Sequence, residues 1–292
     1  MLNGITATVG AYILWGIFPL YMKLASHIPT VEVLAYRIIW AVPTAFLILF
    51  CFGLTKDFFV QIQNKKNLVN GSITATIITI NWSTYIWAIL HNHALEAALG
   101  YYIAPLFSIL LGVVFLKEKL SNWQWFAVIL EVAAVIILVV ETGHLPLIAI
   151  VISITFSLYG FFRKSMPIGP IQGFTLEAFL LLIPAILIAV YYIFHRGYFY
   201  YDGFCYDNLL LMGFGPFTAI PLILFSIGAK YLNLATLGLM QYLSPTFLFF
   251  IAVFFFKEPF TFAQLGAFSL IWAALIIYSI AAFYKKDKSM EA

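Results

Sequence analysis

Three ionisable side chains, Arg37, Glu131 and Glu177, interrupt long apolar stretches of this 292-residue chain. A charge set among apolar residues is costly and marks an ion pair, a proton site or a contact with a charged solute. Arg37 could hold an anionic group such as a carboxylate, because its guanidinium presents a rigid fork of donors. Glu131 and Glu177 could serve coupling or gating: a carboxyl can take a proton, satisfy a neighbouring helix or pair with a cation. A second group is uncharged: Trp15, Asn81, Trp82, Tyr85, Tyr101, Tyr102, Tyr159, Gln241 and Tyr242. Aromatic faces attract cations and stack on rings, and amides both donate and accept hydrogen bonds. Tyr101 and Gln241 each stand four residues before a proline, Pro105 and Pro245. Such a proline loosens its helix, and freed carbonyls can face a water-filled cavity. Together with Arg37 these residues, Tyr159 excepted, form the candidate solute-binding set; ordinary packing and an interfacial aromatic belt compete for part of it. Trp123 and Trp125 fit the belt.

The elements that position them are set by composition. The chain is 64% hydrophobic and 9% charged, against about 25% charged in a typical soluble domain. A globular cytosolic enzyme, a disordered tail and a disulfide scaffold are excluded together; Cys51 and Cys205 are too few for a framework. A net charge of +3 gives no case for nucleic acid as a partner. A spanning helix needs roughly 20 apolar residues. Ten segments qualify, at about 4–25, 31–53, 68–90, 96–116, 122–140, 146–164, 172–194, 208–229, 234–256 and 261–284. Runs such as Val132 to Val140 do not alternate, so helices and not barrel strands are expected. The first segment lacks a basic leader and a small-residue cleavage site, and is expected to be a retained span. The connections Leu54 to Asn67 and His195 to Asp207 are too short to fold alone.

With the N-terminus inside, eleven Lys and Arg residues fall on the cytoplasmic side and three (Lys23, Arg196 and Lys257) outside. That asymmetry places both termini in the cytoplasm. Arg37 then approaches the outer face, where Glu96 is its expected partner. Glu177 approaches the inner face near Arg163 and Lys164. Glu131 lies near the midplane.

The chain also repeats itself. At a shift of 140 residues, 15 of the 43 positions in 95–137 match 235–277, including Tyr102 with Tyr242, Pro105 with Pro245, Lys117-Glu118 with Lys257-Glu258, and Gln124 with Gln264. Upstream, Pro43 pairs with Pro184 at a shift of 141. The expected division is 1–143 and 144–292. Five spans per unit is an odd number, so the second copy enters the membrane inverted, as in many secondary transporters. No nucleotide-binding, zinc-protease or serine-hydrolase motif is present, which removes an ATP-driven pump and gives no case for an enzyme or a cofactor. His91, His93 and Glu96 could bind a metal but are more simply a solvated loop. Gly169 and Gly173, with Pro170 between them, are read as a loop and not a dimerisation face.

Asn81-Trp-Ser-Thr-Tyr-Ile-Trp-Ala, Ala94-Leu-Glu-Ala-Ala-Leu-Gly-Tyr-Tyr-Ile-Ala-Pro-Leu and Gly112 to Glu118 resemble the Rar-type permeases, or chloramphenicol-sensitivity proteins. These form part of the EamA-like branch of the drug/metabolite transporter superfamily. Tyr36-Arg37-Ile-Ile-Trp40 is similar to that group's His-Arg-x-x-Trp signature, with Tyr in place of His, and Ala98 replaces a usual Ser. The resemblance implies an all-α integral membrane protein, ten helices as two inverted five-helix repeats, in a bacterial inner membrane. It also implies a central cavity lined by spans one to four and six to nine, with Glu131 away from it. Relatives move amino acids, nucleosides, S-adenosylmethionine or related metabolites. The expected function is alternating-access transport of a small polar or amphipathic metabolite, with a coupling proton or counter-substrate and membrane lipid as further partners. A passive channel and a membrane-embedded lipid-binding or lipid-modifying protein are the alternatives.

Overall fold

A computed structural model describes residues 4–116, 120–143, 146–196, 206–232, 237, 240–259 and 261–290. Lys117, Glu118 and Cys205, named above, lie outside them. The described residues form helices and no strand, as a backbone in lipid must satisfy its polar groups within each segment. In chain order these are α1 Gly4–Leu24, α2 Thr30–Cys51, α3 Thr55–Gln61, α4 Lys65–Leu90, α5 Ala94–Leu116, α6 Asn122–Thr142, α7 Leu147–Ser165, α8 Pro170–Arg196, α9 Tyr206–Tyr231, α10 Leu243–Phe250 and α11 Phe262–Met290. A π-helical turn, Ile251–Phe255, continues α10. Among the described residues, eight helices, α1, α2 and α4 to α9, are long and apolar enough to cross a membrane, and the ninth and tenth expected spans contain the apolar helical stretches Leu243–Phe255 and Phe262–Ala274. The short α3, inside the Leu54 to Asn67 connection, is an addition to the expected elements; it buries Phe58.

Several helices begin where the chain supplies acceptors for their free N–H groups. At α6, Ser121 and Gln124 form a reciprocal capping box. The same device opens α11: Thr261 N–H donates to Gln264 Oε1 at 3.0 Å, and Gln264 N–H to Thr261 Oγ1 at 3.2 Å. The Glu258 carboxylate accepts from the Ala94 and Leu95 amides, both at 3.0 Å, at the start of α5. Carboxylates at these positions also complement the positive end of the helix dipole.

Helices of the first half pack mainly on helices of the second: α1 on α9 and α10, α2 on α8 and α9, α4 on α7 and α8, α5 on α7, and α6 on α11. Gly215 in α9 lies so close to the Trp40 backbone carbonyl of α2 that a Cβ has no room. Small residues allow such backbone approach between helices. Gly173 lies inside α8, not in a loop, and its bare face is filled by the Arg163 guanidinium. Large apolar side chains such as Ile129, Ile136, Val140, Leu187 and Phe194 point outward, an exposure that suits lipid and not water. Trp123 and Trp125 are also exposed, at the start of α6.

Candidate functional site

Helices α1, α2, α4, α5, α7 and α9 converge with the segment entering α10 around a narrow central cavity. Arg37 of α2 forms part of its wall although only 2% of the residue is exposed. Its Nε donates to Thr218 Oγ1 of α9 at 2.6 Å, and Thr218 in turn donates to the Phe214 carbonyl. The guanidinium carbon lies 4.4 Å from the centre of the Trp82 ring and 5.2 Å from that of Phe18. Two aromatic faces thus hold the cation. Its Nη1 has no hydrogen-bond partner, and no carboxylate pairs with it among the described residues. The expected Arg37–Glu96 pair does not form. Glu96 instead accepts from the Ile148 amide at 3.2 Å, at the start of α7, and lies 3.8 Å from His93.

Asn81 fastens three helices around the cavity. Its Nδ2 donates to the Ile152 carbonyl at 3.0 Å and to Thr155 Oγ1 at 2.9 Å, both in α7. Its Oδ1 accepts from the Tyr101 hydroxyl of α5 at 3.0 Å. Tyr101 meets Tyr85 edge-on with ring centres 5.5 Å apart. Across the cavity, Trp15 stands 5.9 Å from Phe156 and 5.6 Å from Phe225. Gln241 completes the wall, its Nε2 buried without a partner. Trp15, Arg37, Asn81, Trp82, Tyr85, Tyr101 and Gln241 are therefore brought together around one space.

Tyr102 and Tyr242 do not line it. Consecutive helical residues point about 100° apart, so with Tyr101 turned to the cavity Tyr102 faces away. Tyr102 donates to Thr246 Oγ1 at 2.9 Å and accepts from Trp272 Nε1 at 3.0 Å. Tyr242 donates to Glu131 Oε1 at 3.0 Å, while Glu131 Oε2 is buried without a partner. Glu131 thus belongs to a separate node among α5, α6, α10 and α11. Glu177 is also outside the cavity: it accepts from the Tyr159 hydroxyl at 3.0 Å and pairs with Arg163 Nη1 at 3.5 Å, both side chains 2% exposed. Of the two expected partners, Arg163 is the one used; Lys164 reaches the Leu232 carbonyl. His91 and His93 stack against Trp87, and no group of three or more metal-ligating side chains occurs among the described residues.

Tyr12, Phe18, Phe156 and Ser244 also line the cavity and were not singled out from the sequence. A signal existed for one of them: Phe156 lies 141 residues after Trp15, the shift that relates Pro43 to Pro184.

Residues 2–140 match the EamA-like transporter family. An uncharacterized transporter of Bacillus subtilis, YojE, is 39% identical over 96% of this chain and 94% of its own length. Protein RarD of Escherichia coli is 34% identical over 98% of this chain and 97% of its own. A solved crystal structure, 18% identical, matches the fold with a TM-score of 0.67 over 95% of this chain and 97% of the other. With such relatives along nearly its whole length, the chain belongs to the EamA-like transporter family, in its Rar-type branch.

Proposed function

We propose that the protein is a secondary transporter that carries a small metabolite with an anionic group across a bacterial inner membrane by alternating access, without catalysis and without a cofactor. One observation carries this: Arg37 presents an unpaired Nη1 at the wall of an aromatic cavity, with no carboxylate among the described residues to neutralise it. An uncompensated buried cation is costly, and a solute carboxylate offsets that cost while it is bound. Trp15, Trp82, Tyr85 and Tyr101 hold the body of the solute, and Gln241 supplies a free amide donor. Amino acids and S-adenosylmethionine-like compounds, which carry a carboxylate, are the classes to test, with nucleosides, which carry none, as the neutral comparison. The relatives named as transporters support the same function.

Ten crossings in two inverted halves fit the packing. Exchanging each helix with its counterpart one repeat away turns α1·α9 into α7·α4, α1·α10 into α7·α5, and α2·α9 into α8·α4, all of which occur. The pairs α2·α8 and α6·α11 map onto themselves. Two halves related in this way can exchange conformations, so that the cavity faces each side of the membrane in turn. The Lys and Arg asymmetry supports cytoplasmic termini.

The test is flux into proteoliposomes with a panel of amino acids, nucleosides and S-adenosylmethionine. Saturable flux of a carboxylate-bearing member, lost in Tyr101→Ala and Arg37→Gln, is expected. Linear, non-saturating flux points to a channel and overturns the proposal, as does no flux of any member.

A further inference from the structure

The central cavity does not end at Gln241. A second cavity adjoins it, lined by Ser108, Ser157, Gly160 and Phe225, and shares Phe156 and Gln241 with the first. From Tyr101, in the first cavity, to Ser108, in the second, α5 advances seven residues, about 10 Å. From Phe156 to Gly160, α7 advances four residues in the same sense, about 6 Å. The second cavity therefore lies beyond the first, toward the ends where α5 and α7 finish.

The two cavities differ in charge. Arg37 stands in the first, whereas among the described residues the second is lined by no ionisable side chain. At the wall between them, Gln241 Nε2 is buried and unpartnered. The nearby hydroxyls of Tyr101 and Ser157 donate to Asn81 and, at 2.6 Å, to the Ala104 carbonyl, and neither accepts from the amide. An unmade hydrogen bond of this kind is expensive, so the amide is a donor awaiting an acceptor. On the other side of the wall is Phe156, in contact with Trp15, Tyr101 and Phe225. Its ring forms part of the wall of both cavities.

We propose that the two cavities are halves of one bipartite site for an elongated amphipathic anion. A single carboxylate sits at Arg37, and an uncharged, mainly apolar tail passes Phe156 and Gln241 into the second cavity. Any acceptor midway along the solute takes the Gln241 amide hydrogen. A charge on the tail is disfavoured, because nothing in the second cavity repays its desolvation. This rests on the transport proposal above and narrows its substrate class.

The test uses the full-length purified protein in detergent and a series of probes of one charge and increasing reach: benzoate, 3-phenylpropionate and 6-phenylhexanoate. Binding is read by calorimetry. In the wild type the longest probe is expected to bind about tenfold tighter than benzoate or better, from methylenes newly buried. Gly160→Leu fills the second cavity; a Cβ at Gly160 meets only Phe225, at 3.8 Å. Ser108→Leu fills it from α5, as an independent variant. Each is expected to erase the gain with length while leaving benzoate unchanged, and Arg37→Gln to weaken all three probes. Equal binding of all lengths, or cavity-filling variants that weaken every length alike, overturns the bipartite site and leaves the Arg37 proposal standing. If no probe binds the wild type, or Arg37→Gln changes no affinity, the carboxylate at Arg37 is wrong and the bipartite site falls with it.

Discussion

Replacing Asn81 with Ala removes three interhelical hydrogen bonds at once: two to α7 and one from Tyr101. Measured interhelical bonds in a membrane protein average about 0.6 kcal/mol each and reach about 1.7. Three average bonds amount to about 2 kcal/mol, roughly a thirtyfold change in the folded-to-unfolded ratio. Tyr101→Phe removes one bond and is expected to cost about 0.6 kcal/mol. The double variant separates the two effects. Because Asn81 and Tyr101 share a bond, their energies cannot simply add, and a coupling of about 0.6 kcal/mol is expected between them. The assay is equilibrium unfolding of the four proteins in mixed micelles, followed by tryptophan fluorescence. Additive costs, or an Asn81→Ala variant as stable as the wild type, would refute Asn81 as the fastener of α4, α5 and α7.

Gly215→Ala forces a methyl group against the Trp40 backbone carbonyl and is expected to cost about 1–3 kcal/mol. Gly266→Ala meets nothing within 4 Å and is expected to be neutral or to stabilise by up to about 1 kcal/mol; thermal unfolding of the two variants checks the contrast. Arg163→Met leaves Glu177 buried without its cation and is expected to cost about 3–5 kcal/mol, most of it recovered when Glu177→Leu is added. A double variant no better than the single one contradicts the pairing. Glu131→Gln keeps an acceptor for the Tyr242 hydroxyl, so the protein should fold. If coupling runs through Glu131, transport by this variant loses its pH dependence in proteoliposomes; an unaltered pH profile removes Glu131 from the coupling.

The burial of Arg37, Glu131 and Glu177 among helices was legible in the sequence, and direction around each helix axis was not. Arg37, Glu131 and Glu177 were visible because a charge in an apolar run has few uses. Gln124 and Gln264 were visible as repeat mates, and their shared task proves to be closing a capping box at each start of a peripheral helix. Tyr102 and Tyr242 failed as cavity residues because neighbours in sequence diverge by about 100°, and a single apolar helix pattern does not say which of two adjacent aromatics faces inward. Glu96 failed as the partner of Arg37 for a different reason: the free N–H groups at the start of α7 compete for its carboxylate. Glu177 and Arg163 succeeded because they lie close in sequence, across one short turn, with little else within reach. The ninth span reads as one uniform apolar run, and nothing in its composition announces the π-helical turn that follows α10.

The central claim is that Arg37 awaits a carboxylate. It is tested most directly by comparing a carboxylate with its neutral amide, 3-phenylpropionate against 3-phenylpropanamide, by calorimetry on the wild type and on Arg37→Gln. A charge-assisted hydrogen bond to a buried guanidinium is worth about 1.5–3 kcal/mol, so the wild type should prefer the acid by at least about tenfold. Arg37→Gln should bind acid and amide alike. Equal binding by the wild type, or a preference that survives in Arg37→Gln, would contradict the account.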